Sequence, residues 1–122
     1  MFSLTEGLNY WLYSEPTDMR KSFFTLSGLV TEKMGRDPLS GDVYIFLNKS
    51  LNRIKLLRME PGGLVIYSKI LDQGRFRRPD LNSEDALQWH ELVLMVSGIM
   101  ESKTHRKERL SHLNLLRNRA LK

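Results

Sequence analysis

Residues 43–71 read Val43-Tyr44-Ile45-Phe46-Leu47, then Asn48-Lys49-Ser50-Leu51-Asn52, Arg53-Ile54-Lys55-Leu56-Leu57-Arg58-Met59-Glu60, Pro61-Gly62-Gly63 and Leu64-Val65-Ile66-Tyr67-Ser68-Lys69-Ile70-Leu71. Three β-prone runs are separated by two short polar or Gly/Pro segments, which predicts three adjacent antiparallel strands. The run from Val43 to Leu47 has no polar residue, so it reads as a central strand buried on both faces. Period-two alternation puts Ile54 and Leu56 on one face of the next strand and Arg53, Lys55 and Leu57 on the other. Proline sets the backbone at the start of the second turn, and glycine tolerates positive φ there.

On the N-terminal side, Tyr10-Trp11-Leu12-Tyr13 predicts a first strand within Asn9 to Ser14, stopped by Glu15-Pro16. Thr17 is placed as a helix cap with Asp18 in the first turn, where an acid suits the helix dipole. Met19, Phe23, Leu26, Val30 and Met34 recur on one stripe at helical spacing, widened by Leu29 and ended by Gly35. On the C-terminal side, Gly74 breaks the third strand and Arg75 to Arg78 offer a short edge strand. Ser83 is placed as the cap of a second helix whose stripe is Trp89, Leu92, Val93, Val96, Ile99 and Met100. The expected fold is α+β: an antiparallel sheet of about four strands with two helices packed on one face. A basic C-terminal tail, helical or flexible, follows.

The chain has 122 residues, a length suited to one domain with a proper core. It is 41% hydrophobic and has no cysteine, which excludes disulfides and thiolate metal sites and fits a reducing compartment. No apolar run reaches a membrane span, and no basic-then-apolar leader opens the chain, so a soluble cytoplasmic protein is expected. The net charge of +5 is unevenly placed. Residues 1–100 hold twelve Lys or Arg and twelve Asp or Glu, whereas residues 101–122 hold seven basic residues against Glu101 and Glu108. Residues 1–100 are therefore taken as one α+β domain and 101–122 as a basic C-terminal extension.

Taken together, Thr17-Asp18-Met19-Arg20-Lys21, Asp37-Pro38-Leu39-Ser40-Gly41, Arg53-Ile54-Lys55-Leu56-Leu57 and Lys69-Ile70-Leu71-Asp72-Gln73-Gly74-Arg75-Phe76 resemble one family in order and spacing. It is the TnpB accessory protein of the IS66 type of bacterial insertion sequences, encoded beside the transposase and unrelated to the RNA-guided nucleases of the same label. The resemblance covers about the first 78 residues, fades through the second helix and stops near residue 101. The sequence departs from the family's pattern at Arg58-Met59-Glu60, where relatives carry a tryptophan followed by an acid. The resemblance implies a non-catalytic accessory role in transposition, with the transposase and DNA as partners and no cofactor.

Three groups of residues are candidates for that role. At the predicted helix start, Asp18, Arg20 and Lys21 offer a polar surface for DNA phosphates or a partner protein. They read equally as a dipole-compatible acid with two solvated cations, or as an ion pair between Asp18 and a strand residue. On the sheet, Arg53, Lys55 and Lys69 are expected on one open face near Arg75, Arg77 and Arg78, with Tyr44, Tyr67 or Phe76 available to stack on bases. The bland alternative is a solvated face whose charge discourages edge aggregation, balanced by Asp42, Glu60 and Asp72. In the tail, Arg106, Lys107 and Arg109 are candidates for phosphate contact, and Phe24, off the first helix's stripe, for partner contact. A pure protein–protein adaptor is the competing reading, supported by the neutral balance of residues 1–100.

Enzymatic patterns are missing from the sequence. His90-Glu91 would need a histidine where Leu94 stands to resemble a zinc-peptidase helix. No glycine-rich phosphate loop with Lys-Ser/Thr occurs, and His105 and His112 have no cysteine partner. Asp18, Asp42, Glu60 and Asp72 fall on different elements and could share a metal only through folding. No helix-turn-helix signature is present, so backbone contact rather than sequence-specific readout is expected.

Overall fold

The computed structural model describes residues 4–79 and 86–97. Its elements are β1 (Tyr10–Leu12), α1 (Phe23–Glu32), β2 (Val43–Leu47), β3 (Arg53–Glu60), β4 (Gly63–Ile70), β5 (Ala86–Leu87) and α2 (Trp89–Ser97). The five strands form one sheet in the order β4-β3-β2-β1-β5. Both β2–β3 and β3–β4 are antiparallel, as the short turns require. β1, however, pairs parallel with β2, with Tyr10 opposite Val43 and Leu12 opposite Ile45. The α1 segment forms the crossover that a parallel neighbour needs. The second edge of the sheet is β5, antiparallel to β1, and not the expected strand at Arg75 to Arg78, which runs as a loop.

The two helices lie on opposite faces of the sheet, which corrects the expectation of both on one face. Val43, Ile45 and Leu47 pack with Ile54, Leu56, Phe76 and the α2 residues Leu92 and Met95. Tyr44 and Phe46 point the other way and pack with Leu57 and the α1 residues Leu26 and Val30. All five β2 side chains are buried. A central strand apolar on both faces leaves water only if each face has its own cover, and each helix supplies one.

Local chemistry moves the helix starts from where the sequence placed them. α1 begins after Ser22, whose backbone N–H donates to Thr25 Oγ1 at 2.8 Å. Thr17 is instead buried, and its N–H donates to Leu47 O at 2.8 Å, extending the β1–β2 pairing beyond the strands. α2 begins after Gln88, whose N–H donates to Glu91 Oε1 at 3.1 Å, the return bond of a capping box. Ala86-Leu87 upstream is strand, so this helix does not start from Ser83, which lies outside the described residues. On α2, Met95 takes the core position while Val93 is exposed, and Ile99 and Met100 lie outside the described residues.

Pro61-Gly62 forms a two-residue loop that pairs Glu60 with Gly63. Gly62 has φ 96°, the second central position of a turn that favours glycine, and an added Cβ there would meet nothing within 4 Å. Gly62→Ala therefore carries a conformational cost alone. We expect a loss of about 1 kcal/mol, measured as a lower urea midpoint with an unchanged m-value.

Candidate nucleic-acid interface

The parallel β1–β2 pair brings the segments that follow both strands to the same end of the sheet. After β1, the Pro16–Arg20 segment is tethered by the Thr17–Leu47 bond. After β2, the chain turns at once through Asn48–Asn52 into β3. Between them lies a cleft of about 410 Å³ lined by Thr17, Asp18, Arg20, Asn48, Lys49 and Arg53, among others. Clefts outside the carboxyl ends of strands are where α/β folds place ligands, because chain segments there are free to vary without disturbing the sheet.

The wall built by the β2–β3 turn is braced. Asn48 Oδ1 accepts the N–H groups of Asn52 and Arg53, both at 3.0 Å, and Asn48 Nδ2 donates to Asn52 Oδ1 at 2.6 Å. Leu51 is the one non-glycine with positive φ (56°) among the described residues. Its carbonyl accepts Phe76 N–H at 2.6 Å, and Asn52 O accepts Leu71 N–H at 2.8 Å. Surrounding bonds thus over-determine a backbone conformation that costs a leucine on the order of 1–2 kcal/mol. Lys49 and Arg53 are carried on this turn, both exposed, and neither has a carboxylate within ion-pair distance among the described residues.

The opposite wall is an Asp18–Lys21 turn rather than a first helical turn. Asp18 Oδ1 accepts Arg20 N–H at 2.9 Å, and Lys21 N–H donates to Asp18 O at 3.1 Å. Arg20 Nη2 lies 2.6 Å from Asp18 Oδ2, and Arg20 Nε 3.1 Å from both carboxylate oxygens. Asp18 therefore pairs with Arg20, not with a strand residue. The Arg20 guanidinium holds its carboxyl well below the usual carboxylate range, so it is ionised at neutral pH. Beside this turn, Lys55 Nζ donates to Lys21 O at 2.8 Å, anchoring it to β3.

Of the sequence candidates, Arg20 and Arg53 line this cleft, and Lys21 and Lys55 meet beside it through the Lys55–Lys21 bond. Lys49 joins them although sequence reasoning passed over it. Its signal was a cation in a short turn leaving a central strand, whose value depends on the unforeseen parallel neighbour. Lys69 does not join. The register sets it opposite Ile54, on the α2 face, where its Nζ donates to Val96 O at 2.6 Å. The single basic sheet face is thus divided between two faces. Arg75 is exposed in the segment whose next residue, Phe76, bonds the β2–β3 turn, so it lies at the same end of the sheet. Arg106, Lys107 and Arg109 lie outside the described residues.

The aromatic expectation changes as well. Tyr44 and Phe76 are core side chains, each 1% exposed, and the Tyr67 hydroxyl donates to Glu60. Tyr44 also donates to Asp37 O at 2.9 Å, which gives Asp37-Pro38-Leu39-Ser40-Gly41 a structural role in closing the α1–β2 connection. Glu60 further pairs with Arg58 at 3.7 Å, and Arg58 Nε donates to Gly41 O at 3.1 Å, so the departure at Arg58-Met59-Glu60 is filled by a half-buried polar group. Among the described residues the exposed aromatic rings are Phe24, at 94%, and Phe23, at 41%.

Among the described residues no group of three or more His, Asp or Glu could hold a metal ion. None of the described helices is long and apolar enough to cross a membrane.

Residues 8–106 match the family described as "IS66 Orf2 like protein". The match extends through α2, farther than the resemblance of motifs alone, and takes in Arg106 but not Lys107 or Arg109. Two similar proteins come from Sinorhizobium fredii, both described as uncharacterized. One, y4jC, is 28% identical over 109 residues, covering 88% of this chain and 92% of its own. The other, y4hO, is 30% identical over 95 residues, covering 77% and 83%. No solved structure matches the chain. With a family match across most of its length, the chain belongs to the IS66 Orf2-like proteins, accessory proteins of insertion sequences.

Proposed function

We propose that this accessory protein supports transposition by holding DNA through its phosphate backbone in the cleft between Pro16–Arg20 and Asn48–Arg53. The transposase of the same element is its protein partner, met through the exposed Phe24. The observation that carries the DNA reading is the gathering of Arg20, Lys49 and Arg53 around one hollow with Asp18 as its lone carboxylate among the described residues. Cations held on a braced turn lose little freedom when a phosphate arrives, and interactions of this kind fix position rather than sequence. The basic extension, with Arg106, Lys107 and Arg109, adds further sequence-independent attraction. No catalytic step is assigned to the protein.

The test is fluorescence anisotropy with a short duplex and a single strand across a salt series, comparing the full chain with a 1–100 truncation. The cleft reading expects binding by both forms, with the truncation weaker and its log–log salt slope shallower by about 0.9 for each phosphate that the tail neutralises. Binding that vanishes on truncation would put the DNA contact in the tail and leave residues 1–100 as a docking platform. Absence of binding by either form would favour the competing reading, a protein–protein adaptor, which the neutral balance of residues 1–100 and the bare Phe24 ring support.

A further inference from the structure

We infer that Asp18 is an internal stand-in for a DNA phosphate: its carboxylate occupies the Arg20 guanidinium in the free protein and gives it up when the backbone enters the cleft. The inference rests on the DNA-binding reading of that cleft and adds how the site is held before binding.

The geometry supports this in three steps. First, the Asp18–Arg20 pair uses Nε and Nη2 of the guanidinium, the edge that recognises carboxylate and phosphate alike. A planar fork gripping two carboxylate oxygens is already arranged for two phosphate oxygens. Secondly, the pair lines the cleft with Lys49 and Arg53, so the exchanged anion would be bound by those cations as well. Asp18 itself has one guanidinium partner among the described residues, whereas a phosphodiester threaded through the cleft would meet three cations. Thirdly, the pair is exposed, with 92% of the Arg20 and 43% of the Asp18 side chain open to solvent. Exposed pairs are weak, so the exchange costs little. Until then the pairing holds the guanidinium beside Asp18 in the lining of the cleft.

Asp18 has a second duty that the test must leave intact. Its Oδ1 accepts Arg20 N–H, which closes the turn. Asparagine keeps that acceptor and removes the charge, so Asp18→Asn separates the two roles. The experiment is a double-mutant cycle on the full chain with a 20-nucleotide duplex and single strand at about 0.1 M salt, using wild type, D18N, R20Q and D18N/R20Q, with folding checked by circular dichroism. Release of Arg20 predicts that D18N binds roughly three- to fivefold more tightly than wild type. In the R20Q background the same change should yield less than about a twofold gain, because the cation it would free is gone.

A D18N gain of equal size in both backgrounds would overturn the inference, since net charge alone would account for it. Wild-type binding that D18N leaves unchanged or weakens would also overturn it, while the cleft reading stands. If neither wild type nor D18N binds, the DNA reading and this inference fall together.

Discussion

Removing the two cations on the braced turn, with Lys49→Ala and Arg53→Ala in one chain, is expected to lower DNA affinity by roughly 60-fold at 0.1 M salt and to flatten the log–log salt slope by about 1.8. Each phosphate left without its cation removes about 0.9 from that slope, and at a tenth molar each unit of slope corresponds to about a factor of ten. Both residues are exposed, and neither belongs to a described ion pair, so the variant should fold normally. Lys69→Ala provides the contrast. Its ammonium points to the α2 face and bonds Val96 O, so DNA affinity should change less than about twofold while thermal stability falls slightly. A loss of about eightfold from Lys69→Ala, the same per charge as in the double variant, would mean that DNA reads only the overall charge. An unchanged affinity in the double variant would put the DNA elsewhere, and the basic extension would be the next place to truncate.

That contrast depends on a register the sequence contained. Once Pro61-Gly62 is read as a two-residue loop, Glu60 pairs with Gly63, and counting back along both strands puts Lys69 opposite Ile54. A slip of one residue moves a side chain to the other face, and such a slip is all that groups Lys69 with Arg53 and Lys55. The helices present a similar case. Their stripes identify faces that must be buried, but a stripe does not say which side of a sheet it covers. The answer lay in Val43 to Leu47: five consecutive apolar residues require two covers, and only two helices were on offer. The parallel β1–β2 pair was harder to read. Tyr10 to Leu12 is three residues long, and its place beside β2 is fixed by bonds such as Val43 N–H to Asn9 O at 2.9 Å and Tyr13 N–H to Ile45 O at 2.9 Å, which join residues some thirty positions apart. No local pattern reports such pairings. Without that neighbour Lys49 is a cation in a turn, and with it Lys49 faces Arg20 across a cleft. The faces of Arg53 and Lys55 follow from local alternation, whereas Arg20 and Lys21, expected on a first helical turn, sit in a turn ahead of α1, and the cleft itself depends on a pairing that no local pattern reports.

Two phenylalanines separate what folds the protein from what it displays. Phe46 is fully buried at the centre of the α1-side core, with the Tyr13 ring at 6.0 Å and Leu57 and Val30 in the same cluster. Phe46→Ala should cost about 3–5 kcal/mol, because a large ring is removed from a strand that has neighbours on both sides and cannot collapse into the space. Against a total stability of about 5–15 kcal/mol for a domain, that removes a large share of the margin, and urea denaturation would measure it directly. Phe24, at 94% exposure on the first turn of α1, packs against almost nothing, so Phe24→Ala should move the urea midpoint by an amount equivalent to less than about 0.5 kcal/mol. If Phe24→Ala leaves stability and DNA affinity unchanged but abolishes co-purification with the transposase, the ring is where the partner docks. If it lowers affinity for single-stranded DNA instead, the ring stacks on bases and the transposase docks elsewhere. A drop in stability comparable with that of Phe46→Ala would mean that Phe24 is covered in the folded chain, and its role as a displayed surface would have to be withdrawn.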